Sequence, residues 1–296
     1  MDTSCRNFIA KALGALWLFD GLLQFQPLMF GPSFVTNVLT PVLDNQPTFI
    51  ATIVQWGIQL WSTNMVVTDT LAGLLQVAIG LLLFFPLSSK TFKAGLWISI
   101  VWGVVVWLCG EGAGLLLTGG ASFYTGAPGA VVIYILLAAL LLIPDLTTHW
   151  YPKIAGWIFM LGGLLQLQPA LWTSDGVQGN FMVAMMDPMH PVSVLPNALS
   201  NAVGLDPVVS NLLLVLALFA VGLALVLKQN KITGAIALVF LFFVWWLGQD
   251  FGQLSTLFVG TATDPNTAPL VVLLILPAFF SLERIPVSDT TNMALA

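Results

Sequence analysis

The stretch WLCGEGAG, Trp107 to Gly114, sets a carboxylate, Glu111, among three glycines near the end of a long apolar run. A related stretch, WLGQDFG, stands at Trp246 to Gly252. An acid inside a hydrophobic helix is costly in lipid and marks a candidate functional site.

The surrounding chain is 58% hydrophobic and only 7% charged, with a mean hydropathy of +0.96. Soluble domains carry roughly a quarter charged residues, so this composition points to a bilayer. A spanning helix needs about 20 mostly apolar residues. Eight runs qualify, at 9–30, 68–87, 94–117, 127–143, 154–171, 208–227, 232–257 and 268–282. The expected fold is therefore an all-α polytopic membrane protein of eight transmembrane helices.

The basic residues predict its topology. Arg6, Lys11, Lys90, Lys93, Lys153, Lys228, Lys231 and Arg284 fall at the N-terminus, in every second connection, or after the last run. Connections 31–67, 118–126, 172–207 and 258–267 contain no Lys or Arg. By the positive-inside rule both termini and the basic connections are cytoplasmic, and the bare connections, with Asp44, Asp175, Asp187, Asp206 and Asp264, face outward. The first run follows Arg6 and Lys11 as a signal peptide would. It has no evident small-residue cleavage site, and its pattern returns in mid-chain, so it reads as a retained helix. Cys5 and Cys109 fall on opposite sides and are not expected to pair. No basic patch invites nucleic acid.

The chain also repeats itself. GLLQFQP, Gly21 to Pro27, returns as GLLQLQP, Gly163 to Pro169; GGASFYTGAP, Gly119 to Pro128, returns as GTATDPNTAP, Gly260 to Pro269. With GEGAG and GQDFG these make three anchors in one order, which predicts a tandem duplication: residues 1–147 and 148–296, two direct four-helix repeats. An even number of spans per half gives both the same orientation, as in parallel-repeat transporters. The long outward connections hold apolar runs such as Phe34 to Leu43 and Thr48 to Trp61, expected to form interfacial helices, with Trp56, Trp61 and Trp172 in the aromatic belt.

Depth follows from a rise of about 1.5 Å per residue above the basic anchors. Glu111 and Gln249 then lie roughly 27 Å up, Gln24 and Gln166 roughly 20 Å, and Asp20 about 14 Å. Asp20 and Gln24 share a helix face that Gln26 does not. Pro27 and Pro169 free carbonyls in the preceding turn. Together Asp20, Gln24, Glu111, Gln166, Gln249 and Asp250 are expected to line one outward-opening polar region. Glu111, Asp250 and Asp20 are its candidate proton-carrying groups, and Gln24, Gln166 and Gln249 its candidate cofactor-binding amides. Two alternatives stand beside this reading: glycines that only let helices approach, and acids held by a neighbouring donor for structure alone.

No Cys-x-x-Cys, phosphate-binding loop or dinucleotide fingerprint is present. His149 and His190 fall on opposite sides of the membrane and cannot share a haem, so no redox centre of the chain's own is expected. Met182, Met185, Met186, Met189 and His190 cluster in MVAMMDPMH. Thioether and imidazole ligands suit Cu(I), while methionine equally fills apolar gaps.

An opening helix of Ala-Leu-Gly and Asp-Gly-Leu-Leu-Gln type is followed by a long outward connection and LLQVAIGLLLFFPLSSKTFKAG, Leu74 to Gly95. A third run then ends in Gly-Glu-Gly, before a short fourth. This half-unit resembles the DoxX/DoxD-like four-helix family, which includes the small membrane subunit of thiosulfate:quinone oxidoreductase, here as two fused copies. The resemblance implies a cell-membrane subunit of a quinone-linked respiratory oxidoreductase with partner membrane subunits or a homo-oligomeric state. The outer side departs from it in offering no Lys or Arg to hold a dianion such as thiosulfate. Quinone needs only an apolar slot with a few protonatable groups. An accessory subunit of a membrane complex, and a transporter of a small cation or neutral solute, are the alternative readings.

Overall fold

The computed structural model describes residues 3–143 and 146–280, and every regular element among them is helical. In chain order these are α1 (Thr3–Leu23), α2 (Pro32–Phe34), α3 (Thr48–Thr63), α4 (Met65–Leu82), α5 (Lys90–Cys109), α6 (Ala130–Leu142) and α7 (Trp150–Leu165). They continue with α8 (Ser174–Gly179), α9 (Met182–Met185), α10 (His190–Leu205), α11 (Pro207–Leu227), α12 (Lys231–Leu247), α13 (Thr267–Ile275) and α14 (Pro277–Phe280). Arg284 and the end of the run 268–282 lie outside the described residues.

The helix starts are written locally. Asn64 and Asp206 each accept a hydrogen bond from the backbone N–H three residues on, at Val67 and Val209, opening α4 and α11. Such caps satisfy donors that the first helical turn leaves unpaired. Ser89 does the same for α5, and Asn230 with Thr233 forms a reciprocal capping box at α12.

Helix α1 packs on α4, and α7 on α11, through glycines. A Cβ on Gly80 would stand 2.7 Å from the Gly14 carbonyl oxygen, and one on Gly222 the same distance from that of Gly156. Nothing larger than glycine fits there without parting the backbones. Helix α5 packs on α6 and α12 on α13, while α6 and α13 meet each other. Helix α6 is apolar on all sides, and most of it is buried, as such a helix must be. By contrast Leu71, Val101, Leu213 and Ile232 leave large apolar side chains exposed along α4, α5, α11 and α12.

Among the described residues three helices, Met65–Leu82, Lys90–Cys109 and Pro207–Leu227, are long and apolar enough to cross a membrane. A fourth qualifies if Lys231–Leu247 and Asp250–Thr256, bent by 48°, count as one span. The other predicted runs are helical but fall short of that standard. Helix α1 carries Arg6, Lys11 and Asp20, α7 has 16 residues, and α6 has 13.

Several runs leave the α-helix earlier than the hydropathy indicates, 9–30 at Leu23 and 154–171 at Leu165 among them, and two are stopped by left-handed backbone. The run 94–117 leaves the α-helix at Cys109, because Gly112, Ala113, Gly114 and Leu115 adopt φ of 52°, 57°, 63° and 57°. Asp250, Phe251, Gly252 and Gln253 break the run 232–257 in the same way. Left-handed residues cannot continue a right-handed helix. Gly114 and Gly252 are required for a further reason: a Cβ on either would run into the backbone at Pro128 or at Asp264 and Pro265. The glycines beside Glu111 therefore unwind the chain, whereas Gly103 serves close packing against Ile135 of α6.

Candidate functional site

Unwinding after α5 aims Glu111 at the start of the next helix. Its Oε1 accepts from the Val131 N–H at 3.3 Å, at the first turn of α6. Gln249 takes the same post at α13, its Oε1 accepting from the Ala268 N–H at 3.0 Å. Beside them Trp107 Nε1 donates to the Pro128 carbonyl at 3.0 Å, and Trp245 Nε1 to that of Pro265 at 2.7 Å. The paired motifs thus fasten a broken helix to the helix that follows it. A carboxylate at a helix N-terminus also meets the positive end of the helix dipole.

The loops between these helices cross over. Gln26 donates to the Leu23 carbonyl and, at 2.8 Å, to that of Ala262, while its Oε1 accepts from the Phe258 N–H at 3.1 Å. Gln168 donates to the Leu165 carbonyl and, at 3.0 Å, to that of Ala121. The second glutamine of each Gln-x-Gln-Pro motif therefore holds the loop that belongs to the other end of the chain. The loops touch where Thr267 Oγ1 donates to the Gly126 carbonyl at 2.6 Å.

Under the loop 258–264 lies a cavity of about 490 Å³, bounded by α1, α3, α4, α5 and α6. Its walls are apolar and aromatic, with Trp17, Trp56, Trp61 and Trp102 among them, and Asp20, Gln24, Gln76, Glu111, Tyr134 and Asp264 also line it. Among the described residues, no Lys, Arg or His lines it. The Tyr134 hydroxyl donates to the buried Asp20 carboxyl, and Trp17 Nε1 donates to Ser99 at 2.9 Å. Four lining oxygens have no hydrogen-bond partner: Asp20 Oδ1, Gln24 Oε1, Gln76 Oε1 and Glu111 Oε2. Two lining donors, Trp61 Nε1 and Trp102 Nε1, are likewise unpaired. Buried polar atoms without partners are rare and costly. Asp264, brought in on the crossing loop, accepts from Thr263 Oγ1 at 2.8 Å and the Asn266 N–H at 2.6 Å. Burial pushes its carboxyl above the ordinary value of 3.8, and those two hydrogen bonds act against the rise.

No family model, curated protein or solved structure matches the chain.

The single polar region expected from the sequence is divided in the structure. Asp20, Gln24 and Glu111 meet in the cavity, but Gln166, Gln249 and Asp250 do not line it. Gln166 donates to Ser122 and accepts through its backbone carbonyl from Asn211 Nδ2 at 2.8 Å. Gln249 is engaged at α13, and Asp250 is buried near Asp187, which accepts from Ser255. The division arises because each crossing loop fills the space between the two ends of the chain, so polar groups at one height face different neighbours.

The methionine cluster is spread out as well. Met182, Met186 and Met189 are exposed, as is His190 at the start of α10, while Met185 packs against the main core. Packing accounts for Met185, and nothing in the structure gathers the five around one point.

Tyr134, Gln76 and Asp264 are site residues that the sequence reading did not assign. Gln76 sits in the quoted run Leu74 to Gly95, and an amide in such a run is a signal. Nothing in the sequence ties Asp264 to Asp20, since only the crossing loop brings them to one cavity.

Proposed function

We propose that the chain is an integral membrane protein of eight passes, built from two fused four-helix repeats, whose first-half cavity binds quinone or quinol. In this reading it is the membrane subunit of a quinone-linked oxidoreductase of the DoxX/DoxD-like kind, in the cell membrane with both termini cytoplasmic. The observation that carries the binding reading is the cavity itself. It joins apolar, aromatic walls to unpaired acceptors and unpaired indole donors, with no fixed positive charge. A quinol ring needs acceptors for its hydroxyls and a quinone needs donors for its carbonyls, and both must rest in an apolar slot. Carboxyls beside them can exchange the protons that a quinone takes up on reduction, its electrons supplied by a partner subunit of the oxidoreductase.

The repeat is supported by contacts that recur at a nearly constant spacing: Gln26 and Gln168 on opposite loops, Glu111 and Gln249 at helix starts, Trp107 and Trp245 on proline carbonyls. The bilayer is supported by composition and by the apolar side chains left exposed on α4, α5, α11 and α12.

The test is quinone content. Protein extracted into lipid nanodiscs without detergent exchange should carry near-stoichiometric quinone by solvent extraction and mass spectrometry. Tyr134→Phe and Glu111→Gln should each lower quinone turnover in membranes. Quinone-free protein with unaltered membrane turnover in both variants would end the reading. One observation favours a small-cation transporter instead: Asp20, Glu111 and Asp264 share a cavity with no base among its lining residues. Flux of protons or metal ions into proteoliposomes, abolished by Asp20→Asn, would select that alternative.

A further inference from the structure

A second cavity, of about 300 Å³, lies in the later half of the chain among α8, α10, α11 and α12. Much of its lining falls at positions that line the first cavity, shifted by the repeat spacing. Asn180 stands for Val38, Phe181 for Leu39, Val203 for Trp61, Ser210 for Thr68, Leu214 for Ala72 and Phe240 for Trp102. Tyr124, on the loop crossing from the first half, closes it much as Asp264 closes the other.

The chemistry is different. Among the described residues no acid and no base lines this cavity, and its polar groups are Asn180, Asn211, Ser210 and Tyr124. Asn180 and Asn211 are 4% and 1% exposed, and the Oδ1 of each lacks a partner. The orientation of Asn211 is fixed, because its Nδ2 donates to the Gln166 carbonyl and a flipped amide would set oxygen against oxygen. The unmet atom of Asn211 is therefore an acceptor, in a pocket whose lining is mostly apolar. Phe243 of the lining is 43% exposed.

We propose that this second cavity is a separate site for an uncharged lipid with a hydroxyl head group, of the monoacylglycerol class. The hydroxyls donate to Asn180 Oδ1 and Asn211 Oδ1, and the acyl chain leaves past Phe243. An anion finds no basic partner there and an organic cation finds no carboxylate. A quinone carbonyl would find donors only in the Ser210 and Tyr124 hydroxyls and would leave the asparagine oxygens unmet, whereas a hydroxyl head group satisfies them. The assignment does not rest on the quinone reading of the first cavity.

The test uses the whole protein in phosphatidylcholine nanodiscs, whose head groups carry no hydroxyl donor, and a diazirine analogue of 1-monooleoylglycerol. Photolabel is expected on peptides holding Val203, Phe240 or Phe243. Unlabelled 1-monooleoylglycerol should compete, and methyl oleate, which lacks the hydroxyls, should compete at least ten-fold more weakly. Val203→Trp, which places in this cavity the residue found at position 61, should cut labelling ten-fold or more while leaving quinone content unchanged. Asn211→Leu should do the same. If that variant fails to fold, Val203→Trp and the head-group comparison decide. Equal competition by methyl oleate, or full labelling of Val203→Trp, overturns the proposal.

Discussion

Replacing Gln26 with alanine tests the crossed arrangement directly. The side chain is buried and makes two hydrogen bonds across to the loop 258–264, at 2.8 and 3.1 Å, besides a local one to Leu23. Each cross bond is worth about 1 kcal/mol net, and leaving the carbonyl of the buried Ala262 unmet adds to the loss. The sum is about 2 to 3 kcal/mol of loop docking, which is roughly a 30- to 140-fold rise in the open population. Hydrogen exchange followed by mass spectrometry, on protein in nanodiscs, reads this as an equal loss of protection in 258–264. The loop 118–125 should be unaffected. Gln168→Ala should give the mirror result, weaker because only one of its two bonds crosses, to Ala121. Unchanged protection in 258–264, or equal loosening of both loops by either variant, would refute the reasoning.

Four further outcomes follow from particular side chains. Gly222→Leu should abolish the α7–α11 contact and prevent recovery of monodisperse protein, whereas Gly31→Ala, with nothing within 4 Å of the new Cβ, should leave the melting temperature unchanged. Asp69, wholly buried with both carboxyl oxygens unpaired, stands where the later half has Asn211, so Asp69→Asn should stabilise by about 1 to 3 kcal/mol in a thermal melt. Asp264 has a raised folded value, so the docked loop binds its proton more tightly than the open loop. Docking is therefore fully favoured below pH 3.8 and weakens as pH rises through the raised value; exchange in 258–264 should quicken with pH beyond its intrinsic rate, and Asp264→Asn should flatten that excess. Fusing a cytoplasm-only reporter after Lys90 and after Gly120 should give signal at the first site alone if the positive-inside assignment holds.

The helical class and most element positions were legible, because an apolar run bounded by Asn64, Ser89, Asp206 or Asn230 leaves few alternatives to a capped helix. The paired Gln-x-Gln-Pro motifs were visible as a repeat, but their purpose was not. Gln26 meets Ala262 only through a loop that arrives from the other end of the chain. Glu111 was read as an acid among glycines inside an apolar helix, and the structure instead breaks the helix beside it. Its task of opening α6 was hidden, since that helix begins after a loop of irregular structure. The division of the six polar residues into separate surroundings was also out of reach, because height along a helix says nothing about which neighbour a side chain faces.

The crossing of the two loops ties the histories of the halves together. The stretch that carries Asp264 over the acidic cavity is encoded with the half whose own cavity is neutral, and Tyr124 makes the reverse journey. If both halves descend from one ancestral copy, that ancestor functioned as a pair in which each molecule roofed its neighbour's pocket. Fusion would then have freed each roof to change independently of its own walls, and each later loop substitution would have met the opposite pocket, a route by which one duplicated gene could come to hold two unlike chambers. Two separately expressed halves, cut between residues 147 and 148, should accordingly regain both pockets only when made together.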